Sequence, residues 1–173
     1  MDDVRLGLGD GREEDEPDRL ARCHAACFRG IEGSATEVEV HMRSNTPRFD
    51  IVGLADTAGR EARDRVRAAV SSTGLAWPTR RITVNLSPAS LPKTGSVTDI
   101  AIAVAVLAAA GLVKAGDAAR AVHLGELGLD GRVRPVRGVL PAVAAAVAAG
   151  AAHVVVPLAN LDEARLVPGA QAV

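Results

Sequence analysis

The chain has 173 residues, 48% of them hydrophobic and 24% charged, so its length and composition suit one folded domain with a single core. Its longest apolar run, residues 100–113, is 14 residues long and too short to span a bilayer. The start of the chain also lacks the basic and apolar stretches of a signal peptide, so we expect a cytoplasmic protein without membrane partners.

Charge is distributed unevenly along the chain. Residues 1–19 carry eight acidic residues against three arginines and are net −5, which leaves residues 20–173 at net +4. An acidic segment with few large apolar side chains cannot bury enough surface to offset the entropy lost on ordering. We therefore predict a disordered acidic leader over residues 1–19 and a folded domain over residues 20–173.

The first half of the domain predicts four strands and one helix. Residues 37–42 alternate between polar and apolar side chains, and they pair with residues 22–28 through a turn at residues 30–34. A short apolar strand over residues 49–54 follows. Apolar residues recur at helical spacing from Thr57 to Ser72, and Gly74 ends that helix. Residues 82–86 alternate again as a strand.

Two cysteines flank a histidine in the first predicted strand, a pattern that invites a metal interpretation. On a strand the thiols of Cys23 and Cys27 share a face but lie about 13 Å apart at roughly 3.3 Å per residue. Neither a disulfide nor a shared metal fits that distance, so both are expected to be core residues. The four histidines also lack ligand spacing, and we predict no metal site; they are His24, His41, His123 and His153.

The second half predicts a central helix, a hairpin and a further helix. Ser96 to Asp99 has the form of a capping box, which opens an apolar helix running to about Ala110. Residues 122–127 and 132–135 flank a tight turn at residues 129–131. A helix over residues 139–149 is closed by Gly150, and a strand at residues 153–156 precedes a short helix near Leu161. This order predicts an α/β (α+β) sandwich of mixed sheet and helices, distinct from a doubly wound fold.

Four segments together resemble one family of known proteins. They are residues 49–56 (FDIVGLAD), 61–69 (EARDRVRAA), 81–89 (RITVNLSPA) and 125–131 (GELGLDG) running on to 135–141 (PVRGVLP). These segments resemble the N-terminal domain of the ComM/YifB magnesium-chelatase-like AAA+ family, over residues 20–168. That domain is similar to the chelatase-associated domain and to the proteolytic domain of Lon. The resemblance implies a ribosomal-protein-S5-domain-2-like, or Lon-protease-like, sandwich.

In that family the domain precedes an AAA+ ATPase module, and the resemblance implies a ring-shaped motor that acts on DNA during natural transformation. This chain would then be its non-catalytic regulatory or assembly domain. Its partners would be the AAA+ module in cis or related subunits, with oligomers formed through the parent protein. Lys93-Thr94-Gly95 lacks the preceding glycines of a P-loop, so we expect ATP and Mg only at a downstream module. A magnesium-chelatase-related ATPase subunit fragment is an alternative.

A Lon-like serine peptidase is the enzymatic alternative. Lon-type peptidases place a nucleophilic serine at the opening of the central helix and a lysine on the helix after the hairpin. The resemblance carries these positions to Val97 and Leu140, both apolar and expected to face one pocket. Ser96 beside Lys93 is a displaced pair to weigh, but we expect Ser96 to cap the helix and Lys93 to be solvated. Asp99 would then interact with the positive helix end.

Arginines supply the candidate contacts to nucleic acid or partners. Arg60, Arg63 and Arg67 form a stripe on the outer face of the first helix, where guanidinium groups can contact phosphates without reading sequence. Arg132 and Arg134 on the hairpin, with Arg137 after it, have an equal claim. The chain has only Phe28, Phe49 and Trp77 as aromatic residues, which excludes a single-strand binder built on several stacking platforms. DNA binding is therefore expected to be weak and without sequence preference.

Overall fold

A computed structural model describes residues 17–91, 93 and 96–173, and six of its strands form one mixed sheet. Residues 1–16 of the predicted leader lie outside the described residues. The first strand already begins at Arg19, three residues before the prediction. It pairs in an unbroken antiparallel register with the second strand, from Arg19 opposite Met42 to Arg29 opposite Glu32.

The sheet has the order β3-β4-β2-β1-β5-β8. Pairs β1–β2 and β2–β4 are antiparallel, whereas β3–β4, β1–β5 and β5–β8 are parallel. The separate hairpin pairs β6 with β7. The strand bounds are β1 Arg19–Arg29, β2 Glu32–Arg43, β3 Arg48–Val52, β4 Arg81–Ser87, β5 Ala121–His123, β6 Glu126–Leu127, β7 Val133–Arg134 and β8 His153–Val155.

Five α-helices and one 3-10 turn complete the described fold. The helices are α1 Asp56–Ser72, α2 Asp99–Ala109, α3 Ala115–Arg120, α4 Val139–Ala148 and α5 Leu161–Arg165, with the 3-10 turn at Leu158–Asn160. Helix α3 was not predicted. Its six residues include Gly116 and bury only Ala118, so the sequence carries no helical apolar period there.

Helices cover both faces of the sheet, which confirms the predicted α/β sandwich. On one face α1 and α2 bury the inward side chains of β1, β2 and β4, with Val40, Val84 and Ile102 fully enclosed. Helix α4 packs against β1 and β2 from the other face. There it approaches so closely that a side chain at Gly33 would overlap the Pro141 carbonyl.

The predicted strand over residues 122–127 is divided into β5 and β6. Between them the Gly125 N–H donates to the Val97 carbonyl at 2.9 Å, and the Gly125 carbonyl accepts from the Ile100 N–H at 3.3 Å. The backbone therefore bonds to the start of α2 instead of to a neighbouring strand. Gly125 has a φ of 150°, and a side chain there would meet Ile100, so glycine is required at this crossing.

Helix lengths also bear on the membrane question. The described part of the chain contains no helix with the length and apolar character needed to cross a bilayer. Helix α2, in which eight of the 11 residues are buried, is too short for such a role and ends at Ala109 inside the core. Its apolar character is therefore used for packing against β1 and β2.

Candidate functional site

A cavity of about 430 Å³ lies where the chain enters α2, and we call it the α2 cleft. The residues around it come from β1, the entry to α2, the start of the hairpin and the segment that follows the hairpin. The lining is Phe28, Ser96, Val97, Glu126, Pro135, Val136 and Arg137. The next residue, Gly138, has a φ of 75° and passes so near Phe28 that a side chain there would overlap the ring.

Ser96 does not cap α2, so the predicted capping box is wrong. The helix begins at Asp99 with Thr98 at the N-cap position, and the structure gives that end no side-chain cap. The Ser96 hydroxyl instead donates to the Glu126 carboxylate across the α2 cleft. Serine and glutamate are 30 positions apart in sequence, and the turn at Gly125 brings them together.

Asp99 lies in the first turn of α2, as predicted, and it makes further contacts that the sequence did not indicate. Its carboxylate is fully buried and accepts two hydrogen bonds from the Arg65 guanidinium, at 2.7 and 3.1 Å. It accepts a third from the Leu127 N–H at 3.2 Å. Burial raises the pKa of Asp99, while Arg65 and the Leu127 amide oppose that rise. The carboxylate therefore also connects α1, α2 and the hairpin.

Val97 and Leu140 do not face one pocket, contrary to the expectation. Val97 is 4% exposed and packs in the core around α4, where Val139 and Val143 are its cluster partners. Leu140, the next residue along α4, is 39% exposed and lies outside the lining of the α2 cleft. The two positions that the resemblance assigns to a dyad are therefore separated, because α4 directs Val139 toward Val97 and the core and leaves Leu140 partly exposed to solvent.

Lys93 is buried, and the prediction that it is solvated is wrong. It is 7% exposed, and its ammonium donates to the carbonyls of Pro88 at 2.5 Å and Leu91 at 3.3 Å. Burial lowers the pKa of Lys93, and the nearby Cys27 thiol opposes the change. Ser96 and Lys93 thus bond to different partners, so the displaced pair is not assembled in this structure.

The cysteines are core residues, as predicted. Cys23 and Cys27 are free and buried, and burial raises the pKa of Cys23 to about 12. The Cys23 Sγ lies 3.1 Å from the His123 Nδ1, and burial lowers the pKa of that histidine. Among the residues that the structure describes, no three His, Cys, Asp or Glu side chains are grouped to hold a metal ion.

The arginine stripe of α1 borders a second region, which we call the arginine groove. It consists of two cavities of about 180 Å³ each, arranged along the edge strand β3 and the outer side of α1. Arg60 and Arg63 line the first cavity with Asp50 and Asp56. The second is bordered by Arg48, Arg67, Trp77 and Arg80.

The arginines of the groove differ in how firmly they are held. Arg48 is paired with Asp50 at 2.7 Å, and Arg80 donates to the Ser44 hydroxyl at 2.5 Å. Arg60 and Arg63 reach Thr57 and Asp64 only at 3.5 Å. Arg67 is exposed and has no hydrogen-bonding partner within the described ranges. The predicted stripe therefore supplies the guanidinium groups that are open to a ligand.

The hairpin arginines are more fully compensated. Asp130 in the turn accepts from Arg134 at 3.2 Å and from the Arg132 backbone N–H at 3.1 Å. The Arg132 guanidinium lies 3.9 Å from the same carboxylate. These bonds lower the pKa of Asp130, the Arg132 backbone N–H having the largest effect. Arg132 and Arg134 thus share one carboxylate, while Arg137 belongs to the lining of the α2 cleft.

Sequence reasoning missed Glu126 in the cleft and three residues of the groove. Arg48 is the first residue of β3, while Trp77 and Arg80 lie in the segment before β4, so no short spacing links them to the α1 stripe. The one available signal was the Arg80-Arg81 pair, which begins three residues after the only tryptophan.

Comparison with known proteins extends these observations. A family profile described as subunit ChlI of Mg-chelatase matches residues 38–160. An uncharacterised protein of Mycobacterium tuberculosis is 53% identical over 150 residues, which cover 87% of this chain and 30% of that protein. Competence protein ComM of Haemophilus influenzae is 37% identical over 148 residues, 86% of this chain and 29% of ComM. YifB of Escherichia coli is 37% identical over 150 residues, 87% of this chain and 29% of YifB. The chain thus spans about 30% of the length of the relatives it matches.

Proposed function

The chain belongs to the family of the ChlI subunit of Mg-chelatase, which its ComM and YifB relatives share, and we propose that it is a non-catalytic domain of that family. In this role it assembles with an AAA+ ATPase module and regulates it while the module acts on DNA. The relative named as a competence protein directs the proposal to natural transformation, in which the motor would drive branch migration.

The observation that carries the non-catalytic role is the arrangement at the α2 cleft. A serine nucleophile needs a base within hydrogen-bond reach and an orienting group behind that base. Val97 offers no hydroxyl, Leu140 points away from the cleft, and the Lys93 amine is bonded to backbone carbonyls. The polar groups of this region are thereby used to connect elements, which favours an assembly role over hydrolysis.

The strongest argument for the alternative, a peptidase, is the Ser96 hydroxyl bonded to Glu126 inside a cavity. A serine-directed fluorophosphonate and an unfolded protein substrate test it directly, with an active serine peptidase as the positive control. We expect the 173-residue chain to be labelled no more than its Ser96→Ala variant and to cleave nothing. Stoichiometric labelling that disappears in Ser96→Ala would contradict the non-catalytic role.

The assembly role is tested by exchange with a relative. In one chimera the matching 148 residues of Haemophilus influenzae ComM are replaced by this chain, and in a second protein they are deleted. We expect the deletion to lose DNA-stimulated ATP hydrolysis and the chimera to recover most of it. A second chimera carries Asp99→Ala, which weakens the fold of the domain, and it shows whether the recovered activity depends on a stably folded domain. Full activity of the deletion protein would show that the domain is dispensable and would contradict the proposal.

A further inference from the structure

We propose that the arginine groove binds a single strand of nucleic acid, with phosphates on the arginines of α1 and an unpaired base against Trp77. This site rests on the proposed function for its choice of nucleic acid, and it places the contact away from the α2 cleft. The two cavities together contain five arginines and two aspartates, a local excess of three positive charges in a chain that is net −1.

The spacing of the open guanidinium groups suits a phosphodiester backbone. Arg60, Arg63 and Arg67 are separated by three and four positions, so they lie on one side of α1. Seven positions span about 10 Å at 1.5 Å per residue. A strand within a duplex carries a phosphate about every 3.4 Å of helix axis, and an extended single strand spaces its phosphates more widely, so this length faces roughly two or three phosphates of a single strand.

The compensating acids do not close the groove to an anion. Asp50 is committed to Arg48 at 2.7 Å, and Asp64 reaches Arg63 only at 3.5 Å with three quarters of its side chain exposed. Exposed pairs of this kind contribute little and are readily exchanged for another anion. Arg67 has no competing carboxylate within the described part of the chain. The three arginines of α1 are therefore available without breaking a buried contact.

Trp77 favours a single strand over a duplex. The indole is half-buried, packs against Phe49 at a centroid distance of 4.9 Å and borders the second cavity together with Arg67. A base can stack on an indole only when it is unpaired, and such stacking tolerates any base. Cavities of about 180 Å³ also admit a base or a phosphate but not the width of a double helix.

The chain also contains an acidic segment that can compete with a bound nucleic acid. Residues 1–16 carry seven acids and two arginines, and the carbonyl of the next residue, Pro17, accepts from Arg80 at 3.4 Å. Arg80 itself borders the second cavity. Removal of residues 2–16 should strengthen binding of an oligonucleotide severalfold, because it removes a net charge of −5 from the chain and with it part of the repulsion of an anionic ligand.

The test uses Trp77 as its own reporter, because it is the only tryptophan and the chain has no tyrosine. The 173-residue chain is titrated with a thymidine oligonucleotide of about 15 nucleotides at several salt concentrations. We expect quenching of Trp77 emission and an affinity that falls linearly with salt on logarithmic axes. Changing Arg63→Gln and Arg67→Gln together should weaken binding about tenfold and reduce that slope by about 1.4.

A matched variant removes the same charge elsewhere. Arg120→Gln with Arg165→Gln lies on α3 and α5, away from edge strand β3, and should change the affinity less than about twofold. Trp77→Leu is followed by anisotropy of a labelled oligonucleotide, since it lacks the reporter, and should weaken binding about tenfold. Thermal melting of each variant verifies that it is folded.

Three results would overturn the groove. They are equal losses in the two double variants, duplex binding as tight as single-strand binding, and no quenching of Trp77 at low salt. The exchange experiment with ComM is independent of all three, because it measures ATP hydrolysis. If the chain does not bind the oligonucleotide but the chimera is active, the assembly role stands and the groove proposal fails. If the chain binds the oligonucleotide but the chimera is inactive, the groove proposal stands and the assembly role fails.

Discussion

Helix α1 presents arginines to two regions that use them in opposite ways. Arg65 turns inward, where 23% of its side chain remains exposed, and forms a bidentate pair with the buried Asp99. Arg63 and Arg67 turn outward to the arginine groove, where their partners are distant or missing from the described residues. Arginine therefore has a structural role on the inner side of α1 and is open to a ligand on the outer side.

The difference shows that the position of the carboxylate, and not the arginine itself, decides the role. On the α2 side the Asp99 carboxylate is buried behind Arg65 and also accepts from the Leu127 N–H, so its charge is satisfied by protein donors. On the groove side Asp56 and Asp64 are exposed and Asp50 is partly exposed, so these carboxylates remain in contact with solvent. An inward pair resists exchange, whereas an outward one offers its charge to an incoming phosphate.

The largest expected effect is loss of the inward pair. Asp99→Ala removes the acceptor for Arg65 and the Leu127 N–H, leaving a partly buried cation and an unsatisfied amide. We expect a loss of about 3 kcal/mol in the free energy of unfolding, measured with urea. Asp64→Ala on the outer side of α1 is the control and should cost less than about 0.5 kcal/mol. Similar costs for the two variants would remove the distinction between the regions.

A smaller effect is expected for the two positions that the Lon resemblance assigns to a dyad. Val97→Ser places a hydroxyl in an apolar core and should cost about 2 kcal/mol. Leu140→Lys should cost less than about 1 kcal/mol, because at 39% exposure the lysine can extend its ammonium into water. Neither variant should hydrolyse a protein substrate. A larger cost for Leu140→Lys than for Val97→Ser would contradict the orientation of α4.

The pH dependence of stability should reveal the buried histidine. Burial lowers the pKa of His123 below its usual 6.5, so the unfolded chain binds the proton more tightly than the folded one. Stability is then fully present above about pH 6.5 and is lost as the pH falls toward the lowered value. Urea unfolding at pH 7.5 and pH 5.5 should show a smaller difference for His123→Gln than for the unaltered chain. The variant His153→Gln, at an exposed position, is measured in parallel as a control for the loss of a histidine.

ATP should produce no effect on thermal stability. A ligand at one hundred times its dissociation constant would add about 2.7 kcal/mol, and no sequence segment of this chain fits a P-loop. We expect the melting temperature to be the same with and without ATP and Mg. A saturable rise would show a phosphate site that binds nucleotide, and the arginine groove would be the first place to test it with Arg63→Gln and Arg67→Gln.

Much of the fold follows from local patterns. The pairing of β1 with β2 and the buried face of α1 were predicted correctly, because strict alternation and helical spacing place whole faces in the core. The missed features depend on contacts between distant segments. Ser96 matched a helix cap in sequence, yet Glu126 takes its hydroxyl because the Gly125 crossing brings the hairpin to α2.

The candidate sites show the same division. The α1 stripe was visible because its three arginines share one helix, but Arg48, Trp77 and Arg80 reach the groove from other loops and strands. The burial of Lys93 had no signal either, since its acceptors are backbone carbonyls of its own loop. The spacing of residues in the sequence predicts a surface formed by one helix or strand, but it does not predict a site formed where several elements meet.

The most direct test of the account locates the bound strand by NMR. The 15N-labelled chain is titrated with the thymidine oligonucleotide, and shifts of backbone amides and of the Trp77 indole N–H are followed. We predict shifts at residues 60–67 and at Trp77, with Ser96, Val97 and Glu126 unmoved. Shifts centred on the α2 cleft, with residues 60–67 unchanged, would contradict the central claim that binding lies on the outward side of α1.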